Sequence, residues 1–218
     1  MKVKSKMADK RFIHQNNIDN AIKMLDATIR TLNKYDIKYY LDFGTLLGAV
    51  RDNGFIPWDD DMDITILNSK DFSKIPQILQ EIKKEYNYRT YLITFKQSMD
   101  NRLKANKIIY HDKISFANDD DYQIAKLRSN KFWKFGRGKT RLDIFFKYEE
   151  DGYVYWFADG MVNKVAKKYH VKELKEISFY NLKCYIPENY DEYLTHVYGD
   201  WKTPNKEWTE SDGVSISE

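Results

Sequence analysis

"GTLLGAVRDNGFIPWDDDMDITI" runs from Gly44 to Ile66 and sets four carboxylates, Asp59, Asp60, Asp61 and Asp63, at the head of an apolar run. That run is β-branched and apolar, which predicts a strand. Side chains at i and i+2 of a strand share a face, so Asp61 and Asp63 point the same way. Two neighbouring carboxylates repel, and one is driven to hold a proton unless a cation joins them. A hard divalent ion such as Mg²⁺ or Mn²⁺ removes the repulsion and keeps positions open for phosphate oxygens and water.

A site of this kind calls for a further carboxylate from a neighbouring strand. Asp143 in "RLDIFF" is the candidate, because it is the one charge inside its apolar run. Burying it unpaired would be costly. An ion pair with Arg141, or an edge position facing water, would also account for it. Upstream, Gly44 and Thr45 break the segment "LDF", and "TLLGAVR" then reads as one or two helical turns. A helix N-terminus offers free N–H groups and a favourable dipole to an anion such as phosphate. The plain alternative is a Thr N-cap after a Gly turn.

Working outward, helical spacing of Ile18, Ala21, Ile22, Leu25, Ile29 and Leu32 predicts an amphipathic helix over Asn17 to Lys34. Segment "KYYLDF" reads as a short strand. Ser69 to Tyr86 reads as a helix whose second part starts at Pro76. Strands are expected at "YRTYLITF", "NKIIYHDKISF", "DYQIAKLRS" and "RLDIFFKY", the last after a loop "GRGK". "NDDD" is expected to turn, and a Gly turn opens a strand in "DGYVYWF". Met161 to Tyr169 reads as a short basic helix. "ISFYNLKCYIP" reads as a hairpin turning at Tyr180-Asn181, and "ENYDEYLTHVYG" as a helix. With no internal repeat and no linker, the expectation is one α/β (α+β) domain over residues 1–218, its helices flanking a mixed sheet. A basic arm over about 1–12 and an irregular tail over about 200–218 complete it.

Composition narrows the function classes. With 36 basic and 33 acidic residues, the net charge of +3 is too balanced to argue for a nucleic-acid surface. The single cysteine, Cys184, excludes an intramolecular disulfide and argues against a cysteine zinc site. It also fits a reducing compartment. No apolar run has the length of a transmembrane helix, and "MKVKSKMADKRF" lacks the apolar core of a signal peptide. The expected location is cytoplasmic, with at most peripheral membrane contact through the basic arm.

"LDFGTLLGAVRDNGFIPWDDDMDI" resembles the signature of the LicD family, which includes fukutin and the fukutin-related protein. "RLDIFF" resembles the second acidic strand of that family and "YGDWKTP" its closing motif; residues 72–118 carry little that matches. The resemblance implies a nucleotidyltransferase-like fold. It also implies transfer of a phospho-alcohol, phosphocholine or ribitol or glycerol phosphate, from a CDP-activated donor to a glycan or glycolipid-precursor hydroxyl, with CMP leaving. Capsule, teichoic acid and lipopolysaccharide precursors are the acceptors of that class. Carried onto this chain, the metal and catalytic set is Asp59, Asp61, Asp63 and Asp143, with Mg²⁺ or Mn²⁺, and Asp60 is expected to be solvated. Asp143 would take or orient the acceptor proton, or serve only as a ligand. For the phosphates the expected contacts are Gly44, Thr45, Arg51, Lys126 and Arg128, since Lys126 and Arg128 alternate on one strand face. Two other classes stand beside this reading. One is a nucleotidyltransferase that adds a nucleotide from an NTP to a small molecule. The other is a non-catalytic module that binds a glycan or a protein.

Overall fold

A computed structural model describes residues 11–67, 69–98, 118–130, 137–158, 161–171 and 173–207. The amphipathic stripe at the start forms helix α1, Gln15–Lys34. Strand β1 is Tyr40–Leu41, helix α2 is Phe43–Leu47 and strand β2 is Met62–Ile66. "KYYLDF" therefore yields only a two-residue strand. Asp42 ends it by accepting a hydrogen bond from Phe43 N at 2.8 Å and capping α2. One π-type turn, Gly48–Asp52, follows α2. After a 3₁₀ turn at Ser69–Lys74, helix α3 spans Ile75–Tyr86, with Pro76 in its first turn as expected.

Strands β3, Arg89–Thr94, β4, Tyr122–Asn130, and β5, Arg137–Phe146, return to the sheet. The five strands lie in the order β1-β2-β5-β4-β3, with β2 and β5 parallel and the other pairs antiparallel. This is the mixed sheet of an α/β fold. Along β2 the alternation is clean. Met62, Ile64 and Ile66 join Leu142, Ile144, Ala125 and Leu127 in the main core, against which α1 and α3 pack. Asp63 and Thr65 point to the opposite face.

That opposite face is covered in part by a second sheet rather than by helices. Strands β6, Tyr148–Glu150, β7, Tyr153–Ala158, and β8, Met161–Ala166, form an antiparallel meander. Val154, Trp156 and Val165 bury themselves there against Ile124 and Phe145 of the main sheet. The basic helix expected over Met161 to Tyr169 is thus a strand followed by a 3₁₀ turn at Lys167–Tyr169. Pairing with β7 and burial of Val165 outweigh the local helical preference. The "GRGK" loop is likewise absorbed, because β5 reaches back to Arg137. A Cβ at Gly138 would meet Ser129 carbonyl oxygen at 2.5 Å, so glycine lets the two strands close where their register shifts.

Strands β9, Leu174–Phe179, and β10, Leu182–Pro187, form the expected hairpin, with Tyr180 and Asn181 both at positive φ in its turn. Helix α4, Tyr190–Tyr198, follows, and Trp201 anchors the irregular tail in the main core. Cys184 is wholly buried in that core, where desolvation pushes its thiol up to about 12. Among the described residues, no helix is long and apolar enough to cross a membrane. The strand expected over 106–116 lies outside the described residues.

Candidate active site

Parallel pairing of β2 with β5 sets Asp63 directly opposite Asp143. Opposed residues share a face, so the two carboxylates stand side by side above the apolar layer. Their strand ends are held from several sides. Asp63 N donates to Thr45 Oγ1 at 2.8 Å, and Asp42 N donates to Asp63 O at 3.1 Å. Thr45 is buried, so the threonine expected at a phosphate spends its hydroxyl oxygen fixing the start of β2.

The loop before β2 brings the remaining aspartates to the same place. Asp59 N donates to Ile56 O at 3.0 Å, and Phe12 N donates to Asp59 O at 2.9 Å. Asp59, Asp60 and Asp61 can each offer an oxygen within 4.8 Å of the others. The Asp59 carboxylate lies over Gly44, where an added Cβ would run into Asp59 Oδ2. Gly44 thus provides the gap that seats Asp59. Asp60, expected to be solvated, is instead half-buried and paired with Arg141 Nη2, which also lies 3.5 Å from Asp61 Oδ2.

Cations surround the carboxylates. Lys126 Nζ reaches Asp143 Oδ2 at 2.6 Å, and Arg128 Nη1 reaches Asp143 Oδ1 at 2.6 Å. Arg141 therefore serves Asp60 and Asp61, while Asp143 takes its partners from β4. Arg51, also expected at a phosphate, holds Asp52 through Nε and Nη2, both at 2.8 Å, and donates from Nη1 to Trp201 O at 3.3 Å. It clasps the C-terminal segment to the loop that carries the aspartates. Lys206 Nζ lies 5.3 Å from the centre of the Trp58 ring, adding to the same clasp.

Burial, with crowding added to it, raises three of these carboxyls, Asp59, Asp61 and Asp63. Burial, then the charge of Asp61, raises Asp59 to about 7. Burial also raises Asp61, with Arg141 opposing and Asp143 and Asp60 adding to the rise. Asp63 is pushed well above the usual carboxylate range by burial and by Asp61, Asp143, Asp59 and Asp42. A carboxyl raised above its unfolded value stabilises the fold at low pH, and that contribution is lost as pH rises through the folded value. For Asp59 the window runs from its ordinary 3.8 to about 7. In EDTA, Asp59→Asn is therefore expected to melt with the wild type near about pH 4 and several degrees above it at about pH 8. Melting curves across that range check this; a gap that does not widen with pH would remove the repulsion argument.

Behind the cluster sits a buried ionic network that the sequence did not announce. Asp42 Oδ2 and Lys147 Nζ are 2.6 Å apart, and both side chains are fully buried. Tyr193 OH donates to Asp42 Oδ1 at 2.7 Å, and Thr65 Oγ1 donates to Asp42 Oδ2 at 2.6 Å. Lys147 Nζ donates to Tyr193 OH at 3.0 Å and lies 4.6 Å from the Trp156 ring centre and 4.7 Å from that of Phe43. Burial alone would raise Asp42, but Lys147 and these hydrogen bonds bring it below its ordinary value. Phe43 carries a positive φ of 44°, a strained backbone for a non-glycine residue. Asp42 holds it there through the cap.

Residues 36–113 match the model of the family described as LicD/FKTN/FKRP, nucleotidyltransferase domain. This segment belongs to the LicD family. The matched segment contains Asp42, Gly44, Thr45 and all four clustered aspartates. Asp143, Lys126, Arg128 and Lys147 lie beyond it and join the site through the sheet. An uncharacterized protein of Rickettsia typhi is 31% identical over 180 residues, covering 82% of this chain and 45% of that protein. Human ribitol-5-phosphate transferase FKTN is 26% identical over 195 residues, 87% of this chain and 34% of its own length. Lipopolysaccharide cholinephosphotransferase LicD of Haemophilus influenzae is 37% identical over 70 residues, 32% of this chain and 26% of that protein. The chain thus spans about half or less of each of these relatives.

Proposed function

We propose that the chain is a phosphotransferase that moves a phospho-alcohol from a CDP-activated donor to a hydroxyl of a cell-surface glycan or its precursor, releasing CMP. The observation that carries this reading is the side-by-side placement of Asp63 and Asp143, with Asp61 and Asp59 beside them and Lys126, Arg128 and Arg141 around them. The names of the relatives, a ribitol-5-phosphate transferase and a lipopolysaccharide cholinephosphotransferase, support the same class of transfer.

Oxygen-only donors, of which Asp59, Asp61 and Asp63 are raised by burial and by neighbouring carboxylate charge, fit a hard divalent cation, Mg²⁺ or Mn²⁺. Asp59, Asp61, Asp63 and Asp143 would hold it. When bound, it neutralises negative charge on the diphosphate and on the departing CMP. The protein groups do the rest. Phosphate oxygens compete with Asp143 for Lys126 and Arg128, and the exchange moves those cations onto the donor. Asp143, released from them, takes the proton of the attacking hydroxyl. A new bond forms between that oxygen and the phosphorus distal to cytidine, and the bond from that phosphorus to the CMP oxygen breaks. The electron pair of the broken bond leaves on the CMP oxygen.

The test supplies CDP-choline, CDP-ribitol and CDP-glycerol with Mg²⁺ or Mn²⁺ and candidate glycan acceptors, following CMP release and product mass. CMP release with a phospho-alcohol added to the acceptor is expected. A nucleotide added from an NTP, with pyrophosphate released, would replace this reading with nucleotidyl transfer.

Gly44→Ala probes the seat of Asp59. The obstructing atom is the end of a side chain, so folding stability is expected to stay within about 1 kcal/mol of the wild type. Mn²⁺ affinity is expected to fall about tenfold or more as Asp59 is displaced. At Gly48 the added Cβ would meet backbone, Gly54 O at 2.5 Å and Ile56 N at 3.1 Å. Gly48→Ala is therefore expected to lose stability instead, by about 1–3 kcal/mol. Calorimetric Mn²⁺ titration and thermal melts separate the two; wild-type affinity in Gly44→Ala would remove Asp59 from the ligand set.

A further inference from the structure

The register of the main sheet sorts charge across the face that carries Asp63. One row of directly opposed residues runs Asp63, Asp143, Lys126, Tyr91. The next runs Arg141, Arg128, Arg89, with Asp61 beside Arg141. Opposed residues share a face, so these side chains form a patch that is acidic over β2 and basic over β4 and β3. A third row, Phe145, Ile124 and Ile93, packs with the second sheet and closes the patch on that side.

The basic half has features that an ordinary exposed edge lacks. Edge strands are commonly guarded by charged side chains on the edge strand itself, lysine above all, whereas Lys126 and Arg128 lie one strand further in. Here β3 and β4 contain no carboxylate, and three cations occupy adjacent positions on one face. Arg89 Nε is fixed on Asn130 Oδ1 at 2.9 Å. Tyr91 stands beside Lys126 at the sheet edge and is 38% exposed, although the other aromatic residues on this face are drawn into packing. An aromatic ring held open next to a line of cations suits a ligand that carries both a phosphate and a flat ring.

The donor proposed above has two unlike ends. Its nucleoside phosphate is anionic and bears a base; its alcohol end is neutral or, for choline, cationic. Three neighbouring cations attract the first and repel a quaternary ammonium. We infer that Lys126, Arg128 and Arg89, with Tyr91 beyond them, form the subsite for the nucleoside monophosphate half of the donor, so that its alcohol end faces the β2 side. This inference rests on the donor reading and adds the direction in which the donor lies.

Equilibrium binding of CMP and, separately, of phosphocholine to the full chain tests it, in the wild type and in Tyr91→Ala, Tyr91→Phe and Arg89→Gln. Tyr91 is exposed, so folding is expected to be retained, and melting curves verify that. CMP affinity is expected to fall about tenfold in Tyr91→Ala and to survive in Tyr91→Phe, in keeping with base stacking. A similar loss of about tenfold is expected in Arg89→Gln, where a charge-assisted phosphate contact is removed. Phosphocholine affinity should be unchanged in all three. CMP binding that is strong in the wild type and unaltered in Tyr91→Ala and Arg89→Gln would overturn the subsite while leaving the donor reading intact. Loss of phosphocholine rather than CMP affinity would reverse the orientation and so overturn it too. A wild type that binds no CMP would overturn the donor reading and the subsite together.

Discussion

Asp63→Asn is expected to remove transfer activity by about a thousandfold while making the metal-free protein more stable. The two effects share one cause. Asp63 is the carboxyl on which burial and the charges of Asp61, Asp143, Asp59 and Asp42 converge. Near neutral pH its ionisation works against the fold, because its folded value lies well above the unfolded one. Asparagine keeps the shape and keeps the backbone bond from residue 63 to Thr45 Oγ1, so β2 and its register should stand. What disappears is the negative charge proposed to bind the cation. Transfer rate, Mn²⁺ affinity and Tm in EDTA are the three measurements. Turnover within about tenfold of the wild type would remove Asp63 from the catalytic set. Lost turnover with a lowered Tm would mean that the substitution had damaged the strand, and Asp63→Ala would then have to be compared in the same way.

The residues that permitted this prediction were legible early because they obey local rules. Alternation along Met62–Ile66 fixed which aspartates share a face, and the lone carboxylate of "RLDIFF" named the partner strand. Turn residues placed the β9–β10 hairpin, since Tyr180 and Asn181 adopt the positive φ its tight turn requires. Where a long-range contact decides the outcome, local reading failed. Met161–Ala166 looked helical because only the pairing with β7 reveals Val165 as a core residue. Arg51 was read only from its place between two site motifs, and its contact with the carbonyl of Trp201, 150 residues away, is one that no local pattern reveals. Asp60 looked solvated because nothing near it in sequence indicates Arg141, 81 residues on. The register that joins Arg89, Arg128 and Arg141 into a row is likewise invisible until β3, β4 and β5 are paired.

Lys147 is the clearest residue of this second kind, and it supports the second large prediction. At the end of "DIFFK" a lysine ordinarily reads as a solvated strand terminus. Instead its side chain is fully buried beneath the site, 2.6 Å from Asp42, with aromatic rings of Trp156, Phe43 and Tyr193 around its ammonium group. Lys147→Met keeps much of the volume but leaves Asp42 charged and uncompensated in the interior. The expected cost is about 3–5 kcal/mol. Asp42 also caps α2 and receives the Thr65 hydroxyl, so its displacement should loosen the turn that carries Gly44 and Thr45. Pairing Lys147→Met with Asp42→Asn removes both charges, and stability should recover by most of that cost. Denaturant unfolding of the wild type, both single variants and the double variant forms a complete cycle. A loss below about 1 kcal/mol in Lys147→Met would show that Asp42 does not depend on it for compensation. The cycle also reads function apart from stability. A double variant that regains stability but transfers slowly would mark the ion pair as the element that positions the Gly44–Thr45 turn against Asp63. A double variant that regains both would confine the pair to holding the fold, with neutral hydrogen bonds serving the turn equally well.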